Sequence, residues 1–349
     1  MEITKEQFDQ QRRPRFGKAN PERMQFAFWE WMIKGEESAP TDGEGGLAGL
    51  GFMLRDGKLK SSYGPYRARD LFKVPFNRED GSVWTFDRMG ATRSALPDGR
   101  VVCVGGEYED FYDPDFCIYN DVVVFGPADQ IEIYGYPKEV FPPTDFHTAS
   151  ILSERIIIVG GLGYRDARRA GHTPVYALDL SGYRLSEIET SGEMPGWVFK
   201  HEAEIQTGGT IIIRSGEVIE DHGGEQRYRR NVEDYALDIK SGAWRRLTNR
   251  NWRQFAIRQE DSGFFAREHG LRPENLVPRS LMLPLAAEEE WRRAQILVQG
   301  VPVSIIVGVR YIELIVEGEL PSDVCTQVTE QVRINAEAAI KRPCIVEER

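Results

Sequence analysis

The feature that most constrains this chain is a block of residues that it uses three times. Arg100-Val-Val-Cys-Val-Gly-Gly106 is echoed by Arg155-Ile-Ile-Ile-Val-Gly-Gly161 and by Thr210-Ile-Ile-Ile-Arg-Ser-Gly216. The closing pairs Gly105/Gly106, Gly160/Gly161 and Ser215/Gly216 stand 55 residues apart each time. A second marker precedes each copy: Ala91-Thr-Arg-Ser-Ala-Leu96, Phe146-His-Thr-Ala-Ser-Ile151 and Lys200-His-Glu-Ala-Glu-Ile205. It aligns Arg93, His147 and His201 in slots 54 residues apart. A third marker follows, as Val122-Val-Val-Phe125, Tyr176-Ala-Leu-Asp-Leu180 and Tyr235-Ala-Leu-Asp-Ile239. Self-similarity at a fixed period is the signature of a repeat architecture, so the middle of the chain is built from one module.

Each copy predicts four strands. The first pair turns at Pro97-Asp98-Gly99, Ser153-Glu154 and Gly208-Gly209, the second at Gly126-Pro127, Ser181-Gly182 and Ser241-Gly242. Short polar loops between β-branched runs mark hairpins. Fourth strands follow as Ile131 to Tyr134, Tyr183 to Leu185 and Trp244 to Leu247. A buried apolar strand ending in Gly-Gly, then a Tyr-led strand, then an aromatic-led strand resembles the kelch repeat, over roughly Val83 to Leu247. Copy three departs from that pattern at Ser215, and copy one lacks the Tyr that opens the third strand. The resemblance implies β-propeller blades. Three blades do not close a ring, because propellers use roughly four to eight. Further strands are expected from Phe52 to Leu59 with its Asp56-Gly57 turn, from Val83-Trp-Thr-Phe86, and from Asn251 to Arg258. The predicted fold is mainly β: a small or incomplete kelch-like propeller with four-stranded blades, plus a small C-terminal α+β unit.

The flanks divide the remainder. Residues 1–46 predict a helix over Glu22 to Lys34, with Asn20 as N-cap, Pro21 at the first helical position and Gly35 beyond the end, followed by a loop. Phe26, Phe28, Trp29 and Trp31 exceed one stripe, so this helix should be buried on most sides. Residues 47–258 form the expected propeller and 259–290 a linker with short helices. Residues 291–349 read as three strands separated by Gly300 and Gly308, then a helix from Pro321-Ser322-Asp323 that ends before Pro343.

The sharpest chemical feature is the segment from Glu107 to Asp121, directly after the first Gly-Gly. It holds six acids, five aromatics and no basic residue. On a propeller rim, Glu107, Tyr108, Glu109, Asp110, Phe111, Tyr112, Asp113, Asp115 and Asp121 would present negative charge and rigid rings to a basic protein. The competing expectation is that the aromatics pack inward and the acids are solvated. Asp110, Asp113, Asp115 and Asp121 invite a calcium site, but the segment lacks the glycine and terminal Glu of an EF-hand loop and is stiffened by Pro114. No metal or cofactor is therefore expected. Equivalent connections are basic in copy two (Leu162 to His172) and mixed in copy three (Glu217 to Asn231).

With 44 Lys and Arg against 55 Asp and Glu, the net charge of −11 argues against phosphate-backbone binding, and the basic stretch Arg245 to Arg253 is expected to be a solvated or interdomain face. No apolar run is long enough to span a bilayer, and the first residues lack a secretory pattern. Cys103, Cys117, Cys325 and Cys344 show no pairing pattern, which fits a reducing cytoplasm. The leading expectation is a cytoplasmic, non-catalytic recognition scaffold, in its most concrete form an antitoxin-like immunity protein that caps a cationic partner. The alternatives are a hydrolase or isomerase at the propeller centre using His147, His201 and Arg93, or a self-associating structural protein. Some relatives of the kelch fold are copper oxidases or sugar isomerases, and Cys117 with Tyr119 superficially resembles a cross-linked cysteine–tyrosine site. Both lie on one predicted strand and are expected to point apart.

Overall fold

The computed structural model describes residues 3–37, 52–55, 58–61, 64–74, 78–108, 114–128, 130–260, 270–285 and 292–349. The protein is mainly β, with several antiparallel sheets and a few helices. Among the described residues no helix is long and apolar enough to cross a membrane. The chain divides into two compact units. The first holds Met1–Val218 and Tyr235–Arg245, the second Ile219–Asp234 and Arg246–Arg349.

In the first unit each repeat is its own sheet. Repeat one pairs Thr92–Ala95, Val101–Val104, Val122–Phe125 and Ile131–Gly135 in sequence. Repeat two pairs Thr148–Leu152, Arg155–Val159, Val175–Asp179 and Leu185–Glu187. Repeat three runs Glu202–Gln206, Thr210–Arg214, Tyr235–Asp238 and Ala243–Arg246. The second strands read as unbroken apolar runs because both faces are covered. Val102 and Val104 share a core with Ile156 and Ile158, whereas Ile157 and Val159 share the next with Ile211 and Ile213. Alternating side chains thus serve two cores, and the sheets stack face to face.

The junctions between repeats are near copies. Phe146 N donates to Gly90 O at 2.8 Å, and Lys200 N to Phe146 O at 2.8 Å. Gly106 N donates to Thr144 O at 2.9 Å, and Gly161 N to Val198 O at 2.9 Å. The Gly-Gly pair follows from this. A Cβ on Gly105 would lie 2.3 Å from Thr144 O, and one on Gly160 2.3 Å from Val198 O, each a carbonyl of the next repeat. Ser215, in the first slot of copy three, keeps the same left-handed backbone at φ +54. The second glycine answers to its own repeat: a Cβ on Gly216 would meet His201 at 2.8 Å.

Three flanking expectations need correction. Asn20 is not an N-cap. It follows the chain edge of repeat two, donating to Leu185 O at 2.7 Å and accepting from Leu185 N at 2.9 Å, and Glu22–Arg23 pairs with Gly135 and Tyr134 of repeat one. The helix begins later, at Ala27–Glu37, and a capped helix Lys5–Gln11 precedes it. Its burial is as expected: Phe28, Trp29, Met32 and Ile33 are sealed in a core that also holds Cys103, Val123 and Ile133 of repeat one. Val83-Trp-Thr-Phe86 is not a strand; Trp84 instead stacks on Trp29 with centroids 4.6 Å apart. The hairpin Phe52–Arg55 with Lys58–Ser61 does form, with Leu54 opposite Leu59.

The second unit also departs from the expected boundary. Arg253–Gln259, assigned above to the propeller, lies inside a five-stranded sheet between Ile312–Val316 and Cys344–Glu348. Arg293–Val298 and Val301–Val307 complete that sheet. The helix Ser322–Ile340 covers one face with Cys325, Thr329, Val332, Ala336 and Ile340, and ends in a left-handed Lys341 before Pro343. Leu271, Leu276 and Val277 belong to the same core, so this part of the expected linker is structural.

Candidate functional site

The connection between second and third strands is where the repeats diverge. In repeat one it forms a short ribbon, with Glu107–Tyr108 antiparallel to Cys117–Ile118. In repeat two it is a single turn, Arg165–Ala167, and in repeat three a longer ribbon, Glu217–His222 with Glu225–Arg230. The acidic segment is therefore carried on a ribbon, but its members are not equivalent. Glu109, Asp110, Phe111, Tyr112 and Asp113 lie outside the described residues. Tyr108 is half-buried, and Glu107, Asp115 and Asp121 are all buried.

The expectation that these three acids face a partner is corrected by what holds them. Asp121 receives a bidentate contact from Arg88, whose Nη2 lies 3.0 Å from Oδ2, and Trp84 Nε1 donates to the same oxygen at 2.9 Å. Arg88 also donates to the Thr85 and Gly105 carbonyls and lies 3.5 Å from the Tyr119 ring centroid. Burial alone would lower the guanidinium; Asp121 outweighs it and leaves Arg88 above its ordinary value. Asp115 faces Arg69 of the helix Gly64–Phe72 at 3.8 Å. Arginine-paired carboxylates do not suit calcium, and among the described residues no group of three or more His, Cys, Asp or Glu side chains could hold a metal ion.

Cys117 and Tyr119 do not point apart. They are two residues apart along extended chain, which puts them on one side, and the Cys117 thiol donates to Ile118 O at 3.7 Å. Burial pushes the thiol up to about 11 and raises the Tyr119 and Tyr164 phenols, so all three are neutral near pH 7. Tyr164 belongs to repeat two and accepts from Ile118 N at 2.8 Å, while its ring meets Phe116 edge-on. It bolts the ribbon base to the next repeat. Glu107 and Asp145 complete the base: Glu107 exchanges two backbone hydrogen bonds with Met89, each 2.8 Å, and Asp145 Oδ1 accepts from Gly163 N at 2.7 Å.

The recurrent histidines are joints. His147 Nε2 lies 2.9 Å from Thr92 Oγ1 of the preceding repeat, and His201 Nε2 2.8 Å from Thr148 Oγ1. Both rings are buried, and burial lowers them to about 3 and about 4, which keeps them neutral at ordinary pH. Arg93 does not share their slot. Thr92 opens the first strand of repeat one as Thr148 opens that of repeat two, so the residue matching His147 is Ala91. The Arg93 guanidinium instead lies 5.3 Å from the Phe125 ring centroid. The Thr that follows the slot in copies one and two was the readable sign of the joint. Arg88, Trp84 and Tyr164 had no such sign, because their partners are distant in sequence. In the second unit, the basic stretch is largely paired: Arg246 with Glu233, Arg250 with Asp234, and Arg253 with Glu348.

No family model matches this sequence, and no curated protein matches it. Among solved structures, one titled "Structure of YjhT" aligns over 65% of this chain and 81% of that chain, at 14% identity and a TM-score of 0.36.

Proposed function

We propose that this chain is a cytoplasmic, non-catalytic recognition scaffold: three kelch-like, propeller-type blades whose first ribbon carries Glu109, Asp110, Phe111, Tyr112 and Asp113 toward a basic protein. An antitoxin-like immunity protein is its most specific form. The observation that carries the reading is how the ribbon is held. Both of its strands are tied to neighbouring parts of the unit, through the Glu107 backbone paired with Met89 on one side and Ile118 and Asp121 on the other. A pre-organised mount lowers the entropic cost of binding at its tip. The eight residues between the strands include four acids and no base, a composition that steers cationic partners. Free, buried Cys103, Cys117, Cys325 and Cys344 agree with a reducing compartment.

The enzyme alternative has less support. Its residues His147 and His201 are 5% and 6% exposed and already hydrogen-bonded, and Arg93 sits over a phenyl ring. Affinity capture from a lysate of the source cell tests the proposal, with the full chain as bait beside a Glu109→Gln/Asp110→Asn/Asp113→Asn variant. A basic protein captured by the wild type, released by salt and missed by the variant is expected. Equal capture by both baits would overturn it.

A further inference from the structure

His147 and His201 join the repeats, and each sits where a charged ring is not tolerated. His147 lies between Thr92, whose Oγ1 is 2.9 Å from Nε2, and Gly105, where a Cβ would lie 3.4 Å from Cε1. His201 lies between Thr148, at 2.8 Å, and Gly160, where a Cβ would lie 2.8 Å from Cε1. The two residues are 5% and 6% exposed, and among the described residues neither Nδ1 has a hydrogen-bond partner. A neutral imidazole fits this setting by keeping its one N–H on Nε2, toward the threonine oxygen. An imidazolium donates from both nitrogens, which buries Nδ1–H without an acceptor.

The surrounding charges are engaged elsewhere. Beside His147, Arg88 is held by Asp121, Arg93 lies over the Phe125 ring, and Asp145 Oδ1 accepts from Gly163 N. Beside His201, the Lys200 ammonium lies over the Phe146 ring and 4.0 Å from Glu217, and Arg214 pairs with Glu204 at 2.9 Å. Glu202 is exposed, opposite Arg214. Burial lowers the two rings to about 3 and about 4, and His201 lowers His147 further.

What each joint secures is local. Just before His147, Thr144 O accepts from Gly106 N at 2.9 Å and Thr144 N donates to Tyr119 O at 3.0 Å, while Tyr119 N donates to Gly106 O at 2.9 Å. These bonds close a circuit around the base of the first ribbon. Just before His201, Val198 O accepts from Gly161 N and Lys200 N donates to Phe146 O.

We propose that His147 and His201 are acid-release latches: a protonated ring leaves its junction and frees the loop before it, which for His147 is the loop that braces the first ribbon. Each latch acts at its own junction, because each ring is held by the threonine of one neighbouring repeat. The latches belong to the fold and work whatever the ribbon meets.

Amide exchange of the full chain, corrected for intrinsic rate, reads these openings. Gly106 and Phe146 should lose protection about tenfold for each pH unit from about pH 6 to about pH 4.5, because the opening takes up one proton. Gly161 and Lys200 should do the same through His201. His147→Gln keeps an N–H toward Thr92 and does not titrate. It should flatten the Gly106 and Phe146 profiles and leave those of Gly161 and Lys200 sloping. Ring shifts in NMR spectra of the wild type should stay those of neutral imidazole down to about pH 5. Flat wild-type profiles overturn the proposal, as does a Gly106 slope that survives His147→Gln. Junction amides that exchange at the Ile157 rate throughout also overturn it, since they open only with the whole unit, and so do rings that charge near their ordinary value with protection intact. Should His147→Gln not fold, the wild-type measurements decide alone.

Discussion

The ribbons of repeats one and three occupy the same place in the module yet balance their charge in opposite ways. The third pairs partly within itself, Arg229 with Glu220 and Arg227 with Glu225 at 3.1 Å, while Arg230 reaches Glu313 of the five-stranded sheet at 2.6 Å. The two internal pairs are partly exposed to solvent, so each contributes little. The first has no basic residue between Glu107 and Asp121. Two of its acids are met by Arg88 and Arg69, both buried and both drawn from other parts of the first unit. A ribbon with its own cations can change with few consequences elsewhere. A ribbon whose charges are answered inside the core is coupled to the fold.

The sharpest attempt to break this contrast is Arg88→Ala. It strands a buried Asp121 and should cost about 3–5 kcal/mol in urea denaturation of the full chain. A loss below about 1 kcal/mol would mean that the first ribbon is no more tied to the core than the third. Next come the two neutral clasps. Tyr164→Phe removes the acceptor of Ile118 N, and Gln254→Ala removes a side chain that both accepts from Arg230 N and donates to Arg230 O. Each should cost about 1–3 kcal/mol, since buried polar groups lose their partners. A silent Tyr164→Phe would detach repeat two from the ribbon.

The pH dependence is smaller per step and runs in two directions. Asp145 is raised above 3.8, so its contribution is complete below that value and is lost as pH rises through the folded one. His147 and His201 are lowered from 6.5 to about 3 and about 4, so their contribution is present above 6.5 and is lost as pH falls. That loss amounts to about 1.4 kcal/mol per pH unit for each ring. Urea midpoints across pH should show both limbs. Smallest of all, Arg229→Ala in the third ribbon should change stability by less than about 1 kcal/mol. A larger effect would put that ribbon in the same class as the first.

The repeats were legible because their period repeats an obligation. Every interior strand must be apolar on both faces, and Gly105 and Gly160 must make room for a carbonyl. Ser215 looked like a lapse in the motif, yet it keeps the left-handed backbone of the glycines it replaces. Asn20 misled because an N-cap and an edge clasp demand the same side chain, a short amide or hydroxyl with exposed backbone nearby. Arg253–Gln259 misled because strand propensity does not say which sheet will receive the strand.

The sequence alone determined the module: its strands, their turns, the glycine pair and the recurrent histidines are local demands, written within a few residues of where they act. Tertiary structure alone decided the fate of the acids. A carboxylate is solvated, paired or protonated according to what surrounds it. Arg88 and Arg69 reach Asp121 and Asp115 across 33 and 46 residues of chain.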